Sequence, residues 1–370
     1  MIYFDNASTT KTLPTVNKVV VDALESSFYN PSSLHTPGFA ARQQLEKARR
    51  QMLSLLHASN SDLIFTGSAT EANNLALFQS KRGKVLVGAG EHPSILAVAN
   101  QMIADGRQVE FVPLDRSGVI DKEKFLAMLS PDVSFVSIQF VSNETGAIND
   151  IAELAKETKK VAPRALFHSD MVQALGKIDV DIARLGVDLA TFSAHKIHGP
   201  KGVGALVFSK NIKLKPQILG GGQEKGVRSG TENLPLILGF VAALDYCLKD
   251  REIAFQRAKH IKARLVDGFE KSGLMFNVHG FGSPFILSVS FADIRGESLM
   301  HALETEDILI ATGSACSSKK VGNTTLEAMG HKKSEILGNI RISFGHEVVS
   351  EDDIDKVVSA IARNVKKLKD

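Results

Sequence analysis

Short apolar segments alternate with longer amphipathic segments over the first two thirds of the chain. The apolar segments have the length and branched-residue content of buried strands, and the segments between them have the spacing of helices. Such alternation predicts an α/β fold with a mostly parallel sheet covered by helices on both faces. We expect seven strands in this sheet, at residues 63–65, 85–87, 109–112, 133–141, 165–167, 189–192 and 205–208.

The last two of these strands are joined by the glycine-rich segment 199–204 and not by a full helix. Parallel neighbours need a long crossover connection, so this pair is expected to be antiparallel. Two helices are expected next, over residues 234–248 and 253–269.

The pattern changes after these helices, where strands are expected at residues 285–291, 308–310 and 340–344. Helices are expected over 298–304 and from 351 onward, where a serine and acidic residues form a helix start. This pattern predicts a large α/β domain of residues 14–254. A smaller α+β domain is expected to contain residues 1–13 and 255–370.

The composition is that of an ordinary globular protein, with 23% charged residues, 44% hydrophobic residues and a net charge of +3. So small a charge does not favour nucleic acid as the main ligand, and no direct nucleic-acid binding is expected. Cys247 and Cys316 are too few for a disulfide framework or a cysteine-rich metal site, so no metal is expected. The longest apolar run, 234–244, is too short to cross a bilayer. A cytoplasmic location without membrane contact is therefore expected.

A lysine follows the predicted strand 189–192, within the sequence Ser193-Ala194-His195-Lys196. A lysine at the end of a buried strand is poorly solvated, which favours the neutral amine that can attack a carbonyl. This tetrapeptide alone is weak evidence, because most strings of this kind are surface loops.

Further polar residues follow other predicted strands, and open α/β sheets bind ligands at such strand ends. Ala69 and Thr70 lie in a turn of small residues where backbone N–H groups can approach a phosphate, although an ordinary helix start is the alternative. His92 can stack on an aromatic cofactor or move a proton, and a capping role is the alternative. Asp170 and Gln173 can pair with the pyridinium nitrogen and phenolic oxygen of pyridoxal phosphate, or can form a solvated turn.

Candidate residues for substrate and sulfur chemistry lie farther apart in the chain. Asn143 can bind a ligand oxygen or form a turn, and Arg341 can clamp a carboxylate or lie on the surface. The glycine-rich segment 220–233 is either a linker or a phosphate or subunit contact. Cys316 lies among small residues and near lysines that favour its thiolate, with an inert surface thiol as the alternative. Each signal is modest, but together they make a complete pyridoxal phosphate site.

The chain resembles the cysteine desulfurases, a family of class V, fold type I pyridoxal phosphate enzymes. The similar motifs extend over nearly the whole chain and lie at residues 5–10, 30–35, 69–74, 143–146, 193–196, 199–202, 228–231 and 313–316. The resemblance implies a homodimeric transferase that takes sulfur from L-cysteine, releases L-alanine and leaves a persulfide on Cys316. Because of the length of the segment between Cys316 and Arg341, the chain resembles the long-loop subgroup, which passes sulfur to an iron–sulfur scaffold, a tRNA thiolation enzyme or another acceptor.

The resemblance also implies roles around the cofactor ring. Lys196 binds the cofactor aldehyde covalently, Asp170 pairs with the pyridinium nitrogen and Gln173 contacts the phenolic oxygen. His92 lies over the ring and transfers protons. Asn143 contacts the cofactor and, with Arg341, receives the substrate carboxylate.

For the phosphate, the resemblance implies contacts from Ala69, Thr70, Ser193 and His195, with Thr231 reaching it from the partner subunit. Alternatives within this fold are a selenocysteine lyase and an aminotransferase. A further alternative is a sulfur-carrier scaffold or RNA-binding partner that has lost catalysis. The joint presence of lysine, aspartate and cysteine in the required motifs argues against the last alternative.

Overall fold

The structure is a computed structural model that describes residues 1–313 and 324–369. Cys316 therefore lies outside the described residues. The strands are β1 (Ile2–Tyr3), β2 (Ser61–Thr66), β3 (Lys84–Gly88), β4 (Val109–Val112), β5 (Val133–Ser137), β6 (Leu166–Asp170), β7 (Leu189–Ser193), β8 (Gly204–Ser209), β9 (Phe276–His279), β10 (Ile286–Phe291), β11 (Ile308–Leu309) and β12 (Asn339–Ser343).

The α-helices of the described residues lie mostly between these strands. They are α1 (Pro14–Ser26), α2 (Thr36–Leu55), α3 (Ala69–Leu77), α4 (Pro93–Ala104), α5 (Lys122–Met128), α6 (Ile151–Val161), α7 (Ile182–Leu185), α8 (Leu234–Lys271), α9 (Gly296–Glu304), α10 (Thr324–Ala328), α11 (Lys333–Leu337) and α12 (Glu351–Lys369).

The main sheet has seven strands in the order β2-β8-β7-β6-β5-β3-β4. Strand β8 is antiparallel to both of its neighbours, and the pairs from β7 to β4 are parallel. The predicted seven-stranded, mostly parallel sheet is therefore confirmed, as is the antiparallel pairing of its last two strands. The short connection from β7 to β8 leaves no room for a crossover helix, which explains the reversal.

One predicted strand is longer than the strand in the structure. Strand β5 ends at Ser137 and does not continue to residue 141. The backbone N–H groups of Ile138 and Phe140 still bond to the carbonyls of His168 and Asp170, at 3.1 and 2.9 Å. The chain therefore follows β6 beyond the end of β5 and carries residues 139–143 to the carboxyl edge of the sheet.

The prediction of two helices over residues 234–269 is wrong, because α8 is one continuous helix. Its first half, up to Cys247, packs in the core around the main sheet, and its second half, from Ala254, packs in a separate core. The polar residues 249–252 lie between the two apolar faces and contain no proline or glycine to interrupt the helix. The predicted domain boundary falls inside this helix and stays a prediction.

The second core is formed by two small sheets and the helices that cover them. One is antiparallel, in the order β12-β10-β9, and the other pairs β1 with β11 in parallel. Strand β9 was not predicted from the sequence, because its alternation is short and partly exposed. The pairing of β1 with β11 brings the N-terminal segment next to β12, and this proximity matters for the site.

Within the described residues, no helix combines the length and apolar character that crossing a bilayer requires. The same part of the chain contains no group of three or more histidine, cysteine, aspartate or glutamate side chains that could hold a metal ion.

Candidate active site

A cavity of about 220 Å³ lies where the carboxyl ends of β6 and β7 meet the N-terminal turn and β12. Ten of the sequence-predicted site residues line it, namely Ala69, Thr70, His92, Asn143, Asp170, Gln173, Ser193, His195, Lys196 and Arg341. Seven further residues complete the lining, namely Ala7, Ser8, Ser68, Asn73, Gln139, Val141 and Val172. The fold thus brings together residues from four of the motifs that carried the resemblance, at 5–10, 69–74, 143–146 and 193–196, and residues from outside them.

Lys196 ends a short 3-10 turn that follows β7. Its Nζ atom donates hydrogen bonds to the carbonyl oxygens of Ala7 and Ser8, at 2.7 and 2.6 Å. The N-terminal turn is held in place on both sides, because Ala7 N donates to Ser343 Oγ at 2.9 Å and Thr10 N donates to the carbonyl of His195 at 2.9 Å. The lysine amine is therefore fixed by backbone carbonyls in the cavity.

The turn before α3 forms a second wall of the cavity. Ser68 is the N-cap residue of α3, and its side chain accepts a hydrogen bond from Glu71 N. Gly204 lies against this turn, where a Cβ atom would stand 2.6 Å from the carbonyl carbon of Ser68 and 2.8 Å from Ala69 N. Only glycine permits so close an approach, so the start of β8 holds the turn against the sheet.

Ser193 and His195 line the same cavity as this turn, and Ser193 is the register partner of Gly204. Ser193 Oγ is buried and makes no hydrogen bond to any residue that the structure describes. His195 Nδ1 lies 3.1 Å from Thr9 Oγ1. Burial, together with the smaller effect of the nearby Lys196 charge, lowers the pKa of His195 to about 4. His195 is therefore a neutral hydrogen-bonding group at neutral pH.

His92 is the N-cap of α4, and its Nδ1 accepts a hydrogen bond from Ser94 N at 3.1 Å. Its capping role and its place in the cavity are therefore compatible. Burial lowers its pKa, the charge of Asp170 opposes that change and the charge of Lys196 adds to it. Because Nδ1 accepts a bond, the proton of the neutral ring is on Nε2.

Asp170 ends β6 and is buried. Its Oδ2 accepts a hydrogen bond from Asn73 Nδ2 at 2.8 Å, and its Oδ1 accepts one from Val172 N at 3.0 Å. Asn73 also donates to Ser94 Oγ at 2.9 Å. The carboxylate is thus oriented by α3 and by its own strand end. Gln173 lies three residues after Asp170, and its Nε2 donates a hydrogen bond to the carbonyl oxygen of Ala7 at 2.9 Å.

Arg341 lies in β12 and is only 4% exposed. Its Nη2 donates to Ser8 Oγ and Asp5 Oδ1 at 2.8 and 3.2 Å, and its Nη1 donates to Asn143 O and Glu144 Oε1 at 2.8 and 3.2 Å. Its Nε atom is buried and has no partner among the described residues. The guanidinium therefore joins the small antiparallel sheet to the N-terminal turn and to the loop that follows β5.

One predicted site residue, Thr231, does not line this cavity. Thr231 is exposed and lines a separate cavity of about 200 Å³ beside Gly67 and Arg228. Cys316 lies outside the described residues. The other cysteine, Cys247, is buried and donates to the carbonyl of Ile197 at 3.4 Å, and burial raises the pKa of its thiol. It packs in the core around the main sheet.

Sequence reasoning missed several cavity residues. Asn73 lies in a motif that carried the resemblance. It follows Thr70 by three residues on α3, which places both side chains on one face of the helix, and this spacing was the available signal. Gln139 was missed because it was assigned to the interior of a strand. Ala7 and Ser8 contribute backbone carbonyls, which no side-chain pattern reveals.

The residues present fit pyridoxal phosphate. An aldehyde needs an amine, which Lys196 supplies, and a pyridinium nitrogen needs a buried acid, which Asp170 supplies. A phosphate needs N–H and O–H donors, and the unpartnered buried hydroxyl of Ser193 faces the same cavity as the start of α3. This orphan hydroxyl is the observation that indicates an anionic ligand.

The family model described as aminotransferase class-V matches residues 2–357. Cysteine desulfurase IscS 1 of Archaeoglobus fulgidus is 37% identical over 380 residues, which cover 100% of this chain and 98% of the relative. The cysteine desulfurase of Homo sapiens is 34% identical over 384 residues, which cover 100% of this chain and 82% of the relative.

Among solved structures, a NifS-like protein matches with a TM-score of 0.92 and 32% sequence identity, over 99% of this chain and 100% of that one. This match confirms the predicted fold class. Members of the class-V family depend on pyridoxal phosphate, in agreement with the chemistry of the cavity. The chain belongs to the cysteine desulfurase family within the class-V aminotransferases.

Proposed function

We propose that this protein removes sulfur from L-cysteine, releases L-alanine and carries the sulfur as a persulfide on Cys316. Its family membership supports the reaction class. The observation that carries the proposal is one cavity that contains the amine of Lys196, the acid of Asp170, the unpartnered hydroxyl of Ser193 and the guanidinium of Arg341.

Lys196 would bind the cofactor aldehyde, and its position at two backbone carbonyls supports this role. Asp170 would pair with the pyridinium nitrogen, because Asn73 and Val172 hold its carboxylate in one orientation. Pyridoxal phosphate, when bound, supplies an electron sink for bond changes in the substrate. Gln173 would donate to the phenolic oxygen.

Ala69, Thr70, Ser193 and His195 would hold the phosphate. The start of α3 supplies backbone N–H groups and a favourable dipole, and Ser193 supplies an unpartnered hydroxyl. Neutral His195 can donate one ring N–H without adding charge. Thr231 would reach the phosphate of a second copy of the chain, which is consistent with its exposure outside the cavity.

Arg341 and Asn143 would receive the substrate carboxylate, and Asn143 would also contact the cofactor. Arg341 is supported in this role by its buried Nε atom, which has no partner among the described residues. A guanidinium can bind a carboxylate through two parallel hydrogen bonds, which fixes the direction of the amino acid. The contacts of Arg341 to Asp5 and Glu144 hold its side chain before substrate binds.

The amine of Lys196 would remove the proton from the substrate Cα, because it is fixed in the cavity near the residues that orient the substrate. Neutral His92 would transfer a second proton through Nε2, since its Nδ1 is occupied by Ser94 N. The lowered pKa of His92 keeps the ring able to accept a proton at neutral pH.

Cys316 would take the sulfur as a thiolate. Its sulfur bonds to the substrate sulfur while the substrate carbon–sulfur bond breaks, and the carbon takes a proton to become the methyl group of alanine. The thiol of Cys316 and the thiol of cysteine become one persulfide, so no external oxidant is required. The role of Cys316 rests on its motif at residues 313–316 and on the nearby lysines.

The oligomeric state, the roles of the two domains and the sulfur acceptor are part of the same proposal. A homodimer would supply Thr231 to the neighbouring site. The domain of residues 14–254 would hold the cofactor, and the domain of residues 1–13 and 255–370 would carry Cys316 and Arg341. The separate core around β10 and β12 supports this division. The persulfide would pass in the cytoplasm to an iron–sulfur scaffold or a tRNA thiolation enzyme.

Measurement of both products from L-cysteine tests this function. The protein reconstituted with pyridoxal phosphate is expected to form alanine and, with a thiol reductant, an equal amount of sulfide. Lys196→Ala should abolish both, and Lys213→Ala, at an exposed lysine, should change neither. Formation of a keto acid that retains the sulfur, without sulfide, would instead indicate an aminotransferase.

A further inference from the structure

A lysine that the sequence did not single out lies beneath the cavity. Lys177 is only 2% exposed, which is rare for a lysine. Its Nζ atom donates a hydrogen bond to Gln173 Oε1 at 2.9 Å. It does not line the cavity, so it can act there only through another residue.

The contact from Lys177 determines which end of the Gln173 amide is available. An amide group has an oxygen that accepts and a nitrogen that donates, and the two ends exchange places when the group flips. With Oε1 bound by Lys177, the N–H end is directed to the carbonyl of Ala7, at 2.9 Å. The same carbonyl accepts a hydrogen bond from Lys196 at 2.7 Å. A continuous chain of hydrogen bonds therefore joins Lys177 to Lys196 through Gln173 and Ala7.

The surroundings of Lys177 make this contact hard to replace. The pKa of Lys177 is lowered to about 7, mainly by burial. The charges of Lys196 and Arg341 contribute to this decrease, and those of Cys247 and Glu347 oppose it. A buried amine without its acceptor would carry a large desolvation cost, so the contact to Gln173 is strongly favoured in the folded protein.

We propose that Lys177 is a positioning residue that holds the Gln173 amide with its N–H end toward the cavity, where it donates to the phenolic oxygen of the cofactor. This inference rests on the proposed function of the site. A donor at that oxygen stabilises its ionised form and lowers the pH at which it loses its proton. Without Lys177 the amide can present its oxygen instead, and ionisation of the phenol becomes less favourable.

The test is the pH dependence of the absorbance of the bound cofactor. Lys177→Met removes the donor and keeps the apolar stem of the side chain. The midpoint of the absorbance transition is expected to rise by about one pH unit, a change of about tenfold in proton affinity. Gln173→Met should raise the midpoint as much, and the double variant should show no further increase, because both substitutions remove the same contact.

An unchanged midpoint in Lys177→Met, or shifts that add in the double variant, would overturn the proposal. Where Lys177→Met does not fold, Lys177→Leu provides the same test, because it also removes the donor to Gln173 Oε1. Its midpoint must also rise, and an unchanged midpoint would overturn the proposal. Wild-type protein without any cofactor absorbance after reconstitution would overturn the proposed function as well, so the two failures are distinguishable.

Discussion

The side-chain amide of Asn73 donates a hydrogen bond to Asp170 Oδ2 at a distance of 2.8 Å. Both residues are buried, and Val172 N donates to the other carboxylate oxygen. Two donors hold in one orientation a carboxylate that has little contact with water. Asn73 thus directs the Asp170 carboxylate toward the place of the proposed pyridinium partner.

We expect Asn73→Ala to weaken pyridoxal phosphate binding by roughly 10- to 100-fold, which corresponds to the loss of one hydrogen bond to a charged group. The measurement is a titration of the cofactor-free protein followed by absorbance. Asn100→Ala, at an exposed asparagine on the neighbouring helix α4, is the matched control and should bind normally. Equal affinity of both variants for pyridoxal phosphate would show that Asn73 does not contribute to cofactor binding.

Arg341 gives a prediction about substrate binding. We expect Arg341→Lys to raise the KM for L-cysteine by roughly 10- to 100-fold, because a lysine cannot form the paired hydrogen bonds of a guanidinium. Steady-state kinetics with cysteine and with cysteamine, which lacks the carboxylate, provide the measurement. The increase in KM should occur with cysteine and not with cysteamine. A similar loss for both substrates would show that Arg341 acts by holding Asp5 and Glu144 in place.

Arg49 and Glu224 form a buried ion pair near the segment that carries Thr231. Nη1 and Nη2 of Arg49 bond to the two carboxylate oxygens at 2.9 and 3.0 Å, and the side chains are 4% and 2% exposed. Arg49→Met leaves an unpaired buried carboxylate and should lower the free energy of unfolding by about 3–5 kcal/mol. Chemical denaturation provides the measurement.

The matched control for this pair is Asp245→Asn, which breaks an exposed ion pair with Lys249. That variant should lose about 1 kcal/mol or less, since exposed pairs contribute little. The double variant Arg49→Met/Glu224→Leu should recover much of the stability lost in Arg49→Met. A loss in Arg49→Met as small as that in the control would contradict the assignment.

Glu91 gives a prediction about pH. Burial raises the pKa of Glu91 well above its ordinary value, the hydrogen bond from Gln139 N opposes this and the charge of Asp170 adds to it. Above about pH 4.5 the unfolded chain has lost the proton that the folded protein keeps, so the free energy of unfolding falls as pH rises. Glu91→Gln should remove this slope.

The measurement is urea denaturation of the cofactor-free protein at several pH values above about pH 5. Glu123→Gln, at an exposed glutamate in α5, should keep the wild-type slope. Parallel curves for wild type and Glu91→Gln would mean that Glu91 is ionised in the folded protein.

The strands of the main sheet could be predicted because each is a short apolar run between helical segments. The ends of helices and strands could not be predicted where the local sequence pattern and the long-range contacts favour different lengths. Residues 138–141 are as apolar as β5 and continue its hydrogen bonds to β6, but they lie beyond the last pairing of β5 with β3. The polar residues within α8 resemble a loop in the sequence, yet the two cores on which the helix packs hold it continuous.

The candidate site could be predicted where chemistry resides in side chains at strand ends, as for Asp170 and Lys196. Three contributions could not be found in this way. Ala7 acts through its backbone carbonyl, Asn73 acts through Asp170 and Lys177 acts through Gln173. The first two depend on contacts between segments that are far apart in the chain, which only the folded structure brings together. The third is a buried contact between residues four positions apart, and its burial follows from the folded structure.

The central claim is that sulfur moves from L-cysteine to Cys316 in a site organised by Lys196. Mass spectrometry of the protein after a single turnover with isotopically labelled cysteine tests it most directly. The peptide that contains Cys316 is expected to gain one labelled sulfur atom, and Cys247→Ala should gain it equally. Lys196→Ala and Cys316→Ser should gain none. Labelled sulfur on another residue, or undiminished alanine formation by Cys316→Ser, would contradict the claim.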